Sequence, residues 1–522
     1  MKNINIFLAK IYKHQNLWCF LSGIIYSFSF LNGYLFFFAF IGLILFFYRL
    51  FTDSALNKIF RTSIFFFLGF YLILYTWFIE LYPFEGFNLT KTQGIVIVIS
   101  AVLGISIIHS LEAALIFKLS KLFKSYTALL PIGFAFLFIL SEWFMSLGDL
   151  GFSWGTMAVS QYRFLPLLQN ASLFGSYFIT FLIAACCGYF SLFLLHKKIN
   201  ILKIASALLI APILSGGILL LIPQNEEKTL SAAIIQGNIL SMEKWEEDRY
   251  DIIFNRYLDL TTTAAKNGSE LIVLPESAIP AVFKENSLLH NTYADIAKTY
   301  NCSIIMGVLR ENGDYKCNSI VLITPDGKIS NFYDKQHLVP FGEFIPYKTV
   351  FNNILSFFSN MNLGNNEYTA GNSSSLFDYY GSKIGSLVCF DSIFGSSCRN
   401  SVRDGAELIA VCTNDSWYKD SPGVYQHLAH SVVRAVENGR TIVRSANTGI
   451  SCFISPKGKI TQETEPLVVD VVYSDVSLSN HKTLYYYVGD VPLYLTFVFI
   501  LVFIFINIFN FINTKGAYNG RN

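Results

Sequence analysis

Seven apolar stretches, at about 17–32, 33–51, 62–82, 94–117, 126–146, 168–195 and 201–222, fill the first part of the chain, and an eighth follows at 490–513. A helix of about 20 apolar residues spans the hydrocarbon core of a bilayer. A helix also satisfies its own backbone where no water is present. The pattern therefore predicts eight crossings, the first two split only by Asn32 and Gly33 and forming a bent hairpin. Composition agrees, because 14% of the 522 residues are charged, against roughly 25% in a soluble domain. The net charge of +2 comes with no basic block or stripe that could follow a phosphate backbone, which argues against a nucleic-acid partner.

Loop charge predicts orientation. Lys2, Lys10 and Lys13, then Arg49, Lys58 and Arg61, then Lys118, Lys121 and Lys124, then Lys197, Lys198 and Lys203, then Lys515 and Arg521 flank one set of span ends. The opposite short loops carry only Lys91 and Arg163. By the positive-inside rule both termini are cytoplasmic, and the polar segment after seven crossings lies outside. Lys2 precedes an apolar run with no small-residue cleavage site after it, so the run reads as a retained first span. Three units follow: a membrane domain at 1–224 with seven spans, an exported domain at 225–487, and a last span with a short cytoplasmic tail at 488–522.

The exported domain alternates strand and helix patterns. "LSAAIIQ" (230–236), "ELIVLP" (270–275) and "CSIIMGVL" (302–309) read as strands. Ile253, Tyr257, Leu260 and Ala264 fall at helical spacing within 246–266, and a second helix is predicted at 285–299. "NSIVLITPDGKISNFY" reads as a hairpin turning at Pro325-Asp326-Gly327, and "ISPKGKI" (454–460) repeats that logic. Further strands are predicted at 383–389, 407–412, 441–446 and 450–454, with helices near 392–402 and 424–438. Hairpins mixed with crossovers imply a layered α/β sandwich. Six of nine cysteines lie in this domain, with no CxxC pair and no zinc spacing.

Three residues end or follow predicted strands: Glu276 in "ELIVLPE", Lys335 in "NFYDK" and Cys389 in "KIGSLVC". Side chains at strand ends are where α/β enzymes converge their chemistry. Taken singly, they read equally as a solvated carboxylate, a surface charge and a small buried apolar residue. Together they meet a chemical need. A thiol becomes a nucleophile with a base beside it, and an ammonium with the backbone N–H of Phe390 could stabilise an oxyanion. A neighbouring lysine is also expected to lower the thiol pKa. Glu, Lys and Cys suffice for acyl transfer at a carbon–nitrogen or carbon–oxygen bond.

"LPESAIP" (274–280), "YDKQHLVPFGEFIP" (333–346), "LVCFD" (387–391) and "NDSWYKD" (414–420) resemble the nitrilase superfamily in order and spacing. "HLVPFGE", "QGNILSMEKW" (236–245), "GFSWGTMAVSQ" (151–161) and the eight spans narrow the resemblance to the apolipoprotein N-acyltransferases. That resemblance implies a multi-pass α-helical membrane protein carrying an αββα sandwich, in a bacterial inner membrane with the catalytic domain on the periplasmic side. It implies Glu276 as general base, Lys335 as oxyanion stabiliser and Cys389 as nucleophile, with Glu343 a second required glutamate and Trp245 at a lipid-binding mouth. It further implies a phospholipid acyl donor, a diacylglyceryl-cysteine apolipoprotein acceptor, and neither metal nor organic cofactor. The family usually reads Cys-Tyr-Glu where this chain has Cys389-Phe390-Asp391; the change removes a hydroxyl and shortens a carboxylate stem.

Other polar residues are expected to be structural. His337 and His427 read as hydrogen-bonded histidines, and Asn414-Asp415 as a loop bracing the nucleophile strand. His109 and Glu112, three apart on one face of the fourth span, read as a helix–helix tie away from the triad, whereas Glu142 is better placed to matter. The segment 345–363 has apolar residues at helical spacing and is expected to be an interfacial lid. The rival enzyme is a membrane-tethered amidohydrolase in which water takes the acyl group. A transporter or receptor with a ligand-binding domain would leave the three reactive residues without a purpose.

Overall fold

The computed structural model describes residues 14–83, 90–223, 228–241, 243–347 and 367–519. Among these, six helical segments are long and apolar enough to cross a membrane: Ile59–Leu81, Lys91–Leu122, Thr127–Phe144, Ser176–His196, Ile199–Leu221 and Val491–Asn513. Two shorter apolar helices, α1 (Gln15–Leu31) and α2 (Phe38–Leu50), precede them. They stand where the first two spans are predicted. Asn32 ends α1 in extended backbone and its side chain accepts from the Tyr34 N–H, which produces the expected bend. The run at 168–195 begins its helix only at Ser176, because Leu165–Leu168 and Ala171–Phe174 form two separate short turns.

The first helices pack through glycine. A Cβ on Gly23 of α1 would lie 2.0 Å from the Phe66 carbonyl oxygen, and one on Gly69 would lie 2.1 Å from that of Phe20. Both contacts join α1 to α3 (Ile59–Leu74), so a glycine on each helix lets the backbone of the other come into direct contact. Helices α4 (Lys91–Phe117), α5 (Leu130–Phe144), α6 (Ser176–His196) and α7 (Ile199–Leu221) complete this part of the chain.

The polar domain is two six-stranded sheets, in the orders β12-β1-β2-β3-β4-β5 and β11-β10-β9-β8-β7-β6, where β10 is Cys452–Ile454 and β11 is Ile460–Glu463. In the first sheet β1 (Lys228–Gln236), β2 (Leu271–Val273) and β3 (Ser303–Asn312) run parallel, while β4 (Tyr315–Ile323) and β5 (Ile329–Asp334) return as hairpins. In the second, β7 (Ser382–Val388), β8 (Leu408–Thr413) and β9 (Thr441–Ala446) are parallel. Between the sheets Ile234, Val273, Ile305 and Ile320 meet Val388, Ala410, Val443 and Phe453. Helices α8 (Tyr250–Lys266) and α9 (Leu288–Tyr300) cover the outer face of the first sheet through Ile253, Tyr257, Leu289 and Tyr293.

Helices α10 (Gly395–Arg403) and α11 (Pro422–Asn438) cover the second sheet, and α11 is buried over almost its whole length because the membrane helices lie on its far side. Val424, Leu428, Val432 and Val436 share one apolar core with Phe47, Phe66 and Leu137. Polar ties cross the same boundary. Trp154 Nε1 donates to Gln426 Oε1 at 2.6 Å, the Ser176 N–H donates to Glu437 Oε1 at 2.7 Å, and Lys457 Nζ donates to the Leu220 carbonyl at 2.7 Å at the end of α7. The αββα order expected from the sequence is present, with its α11 face seated on the membrane helices.

Two strands escaped the sequence reading. β12 (Asp470–Leu478) pairs antiparallel with β1 along nine residues, and β6 (Phe377–Tyr379) pairs with β7. β12 is half exposed at a sheet edge and carries Asp470 and Asp475, so it lacks an apolar run. Most of the segment expected as a lid, 345–363, lies outside the described residues.

Candidate active site

Glu276 follows β2, and its backbone is pressed against β3. A Cβ on Gly307 would lie 2.5 Å from the Glu276 Cα, so only glycine admits this approach. Lys335 follows β5, where its N–H donates to the Asn318 carbonyl at 2.9 Å and its own carbonyl accepts from Gly371 at 2.8 Å. Cys389 follows β7 in left-handed backbone, with φ of 49°, at the start of a short 3-10 turn, Cys389–Ile393. Positive φ in a non-glycine residue costs about 1–2 kcal/mol, and such conformations collect at functional sites.

These three strand ends converge. Lys335 is 1% exposed and its Nζ lies 3.4 Å from Glu276 Oε1 and 2.9 Å from the Glu343 carboxylate. Burial would strip the ammonium of its proton, but Glu343 and then Glu276 outweigh it and hold Lys335 charged above its ordinary range. Glu343 is oriented in turn by the Val339 N–H, at 2.8 Å from Oε2. The thiol behaves differently from the expectation that a lysine would lower it. Burial pushes Cys389 up and Glu276 adds to the rise, while Lys335 opposes both without prevailing. The surroundings of Cys389 therefore favour its thiol form over the thiolate.

Asn318 was missed. Its Nδ2 donates to Glu276 Oε1 at 2.7 Å and to Glu343 Oε1 at 2.8 Å, so one amide group bridges both carboxylates. The available signal was an asparagine in a run otherwise suited to a buried strand, where that residue type is depleted. Lys244 was missed too. It is buried beside exposed Trp245, which is 55% accessible, and its Nζ donates to the Glu276 carbonyl at 3.1 Å.

Asp391 is turned into the protein interior. It is fully buried and its carboxylate accepts from the His337 N–H at 2.7 Å, the Tyr333 hydroxyl at 3.0 Å and the Val388 N–H at 3.2 Å. It thus ties the segment carrying Lys335 to the turn carrying Cys389. Phe390 packs on Phe152 of the membrane domain, centroids 5.8 Å apart, and on Phe394 at 5.4 Å.

The remaining polar residues resolve as follows. His337 is hydrogen-bonded to Asp391 and Ser397, and stacks on Phe394. Glu142 accepts from the Met157 N–H at 2.7 Å and the Thr180 hydroxyl at 2.8 Å, which makes it a brace inside the membrane domain. His109 bonds the Tyr75 hydroxyl at 2.7 Å, the helix tie expected of it. It is not remote from the site, however: its ring stacks on Phe152, which stacks on Phe390 next to the thiol.

Among the described residues one group of side chains has metal-ligand spacing, Cys389, Asp415 and His427. It does not suit a cation, because Arg444 Nη2 is 2.8 Å from Asp415 and 3.1 Å from His427 Nδ1. Burial works to raise Asp415, but Arg444 and His427 hold it well below the usual carboxylate range.

The sandwich and the convergence of a carboxylate, an ammonium and a thiol define a class, a carbon–nitrogen hydrolase domain built onto a multi-pass membrane domain. Residues 231–486 match the carbon-nitrogen hydrolase family, and residues 22–189 match the apolipoprotein N-acyltransferase N-terminal domain. The apolipoprotein N-acyltransferase of Geobacter metallireducens is 32% identical over 375 residues, covering 69% of this chain and 71% of that one. Those of Haemophilus ducreyi and Haemophilus influenzae are 28% and 27% identical, covering 76% and 83% of this chain and 80% and 84% of theirs. The chain belongs to the apolipoprotein N-acyltransferase family and is an acyltransferase.

Proposed function

We propose that the enzyme moves a fatty acyl chain from a phospholipid to the N-terminal α-amine of a diacylglyceryl-cysteine apolipoprotein, the last step of lipoprotein maturation, through a thioester on Cys389. The Glu276–Lys335–Glu343 ion cluster, with the Lys335 ammonium buried at its centre and Cys389 close enough to feel both charges, carries this reading. Glu276 takes the thiol proton as sulfur attacks the sn-1 ester carbonyl. The tetrahedral oxyanion forms against the Lys335 ammonium. The ester C–O bond breaks and the lysophospholipid oxygen leaves with the proton from Glu276. The acceptor amine then attacks the thioester, Glu276 removes its proton, the C–S bond breaks and the thiol is restored. One hard transfer is thereby divided into two easier ones.

The same reading puts the protein in the inner membrane of a bacterium, both termini cytoplasmic, with seven spans before the periplasmic catalytic domain and one after it. The loop lysines and arginines support that orientation, and the exposed Trp245 beside the site supports a lipid-facing mouth. The test is mass spectrometry of the full chain after exposure to labelled phospholipid, then to a diacylglyceryl-cysteine peptide. The expected result is an acyl adduct on the Cys389 peptide that is discharged into amide-linked lipopeptide. Release of free fatty acid alone would establish the tethered hydrolase instead, and an adduct on any other cysteine would remove Cys389 from its role.

A further inference from the structure

His427 lies against the nucleophile without being free to act as its base. Its Nε2 is 3.2 Å from the Cys389 carbonyl oxygen and 3.1 Å from Ser392 Oγ, and that hydroxyl itself donates to the same carbonyl at 2.8 Å. A carbonyl only accepts, so Nε2 carries a hydrogen and has no lone pair for the thiol proton. Nδ1 is 2.9 Å from Asp415 Oδ1, and Asp415 is anchored by Arg444 and the Thr413 hydroxyl. The ring is therefore fixed at both nitrogens. What it fixes is the peptide unit that follows Cys389, the residue in left-handed backbone.

The membrane domain holds that ring from its face. Trp154 stacks on His427, centroids 5.5 Å apart and planes 27° apart, and is itself fully buried. Its neighbours in the chain touch the same turn: Phe152 stacks on Phe390, and Ser153 Oγ donates to the Ile393 carbonyl at 3.4 Å. Three consecutive residues of the loop after α5 thus contact the nucleophile turn or the histidine beneath it.

We propose that His427 is a positioning residue for Cys389 and that the membrane-domain loop 151–155 sets its place, so that acyl-transfer competence depends on how that loop docks. The proposal rests on the reading of Cys389 as nucleophile. It also gives the membrane domain a part in the chemistry, because strain at residue 389 persists only where its surroundings over-determine it.

The experiment uses the full chain in detergent as wild type, His427→Ala, His427→Gln, Trp154→Phe and Trp154→Leu. The acylation rate of each is followed by intact mass against phospholipid concentration, and alkylation of Cys389 by iodoacetamide is followed by peptide mass. His427→Ala should lower the limiting acylation rate about 100-fold, as a small misplacement of a reacting group does, with the half-saturating phospholipid concentration unchanged. His427→Gln, whose amide can donate to the Cys389 carbonyl, should recover most of the loss. Trp154→Phe should stay near wild type and Trp154→Leu should lose about tenfold. If His427→Ala does not fold, the Trp154 pair decides. Wild-type acylation and alkylation rates in Trp154→Leu and in any folded His427 variant would overturn the proposal, as would equal losses in the two Trp154 variants. Failure of the nucleophile reading looks different: the wild-type adduct would sit elsewhere, while alkylation would still report whether these residues position residue 389.

Discussion

Asn318 and Glu276 are joined by a 2.7 Å hydrogen bond from Nδ2 to Oε1, the same oxygen that lies 3.4 Å from Lys335 Nζ. Because Asn318 Nδ2 also reaches Glu343, the two carboxylates are kept together by a neutral donor as well as by the lysine. Asn318→Leu keeps comparable volume and removes that donor. The acylation rate should fall roughly 10- to 100-fold, the range that one hydrogen bond to a charged group is worth, while the purified chain stays folded. Stopped-flow or quenched acylation with intact-mass detection measures it; an unchanged rate would make Asn318 incidental to the base.

Gly307→Ala tests whether the base depends on β3. The new Cβ would meet the Glu276 Cα at 2.5 Å and the Pro275 carbonyl oxygen at 2.6 Å, and backbone cannot swing aside as a flexible side chain can. The expected outcome is a stability loss of about 1–3 kcal/mol together with an acylation rate lower by at least two orders of magnitude. Thermal unfolding in detergent and acyl-adduct formation read the two effects separately. A folded, fully active Gly307→Ala would mean that Glu276 tolerates displacement.

Asp391→Glu would restore the spelling more usual in the family, yet it should harm this protein. Asp391 is fully buried and its two oxygens are already matched to Tyr333, His337 and Val388. An extra methylene there must push either the Lys335 segment or the Cys389 turn outward. A loss of about 1–3 kcal/mol in stability is expected, with slower acylation. Equal melting temperature and rate in the variant would show that the pocket has slack.

The sequence made the layers and the three converging residues legible because both are local patterns. Apolar run length announces spans, and strand-end residues in "ELIVLPE", "NFYDK" and "KIGSLVC" announce a common sheet edge. Partners across the chain were not legible. Asn318 acquires meaning only when β4 brings it beside Glu276 and Glu343. Lys244 looks like any lysine until its Nζ is found against the Glu276 carbonyl. The edge strand β12 was hidden for a related reason: two exposed aspartates interrupt the periodicity on which such assignments rest. At Cys389 the neighbouring lysine is legible in the sequence, but the burial that outweighs its charge is not.

Lys244 supplies a prediction about pH. Burial pulls its ammonium down to about 8, against the opposing charge of Glu276. In the unfolded chain the same group titrates near 10.5. Between these values the unfolded state binds the proton and the folded state does not, so this residue makes stability rise with pH across that window. The rise is on the order of 3 kcal/mol. Cysteines raised by burial, such as Cys389, act in the opposite sense at overlapping pH, so the wild-type curve alone does not isolate the effect. The difference between wild type and Lys244→Met does. The variant also leaves the Glu276 carbonyl without its donor, a cost of about 1–3 kcal/mol, but that cost is a constant offset across pH. Chemical denaturation at steps from pH 7 to 10.5 should show wild type gaining on Lys244→Met as pH rises above 8. Parallel curves would show that Lys244 keeps an ordinary ammonium in the folded protein, in contact with water.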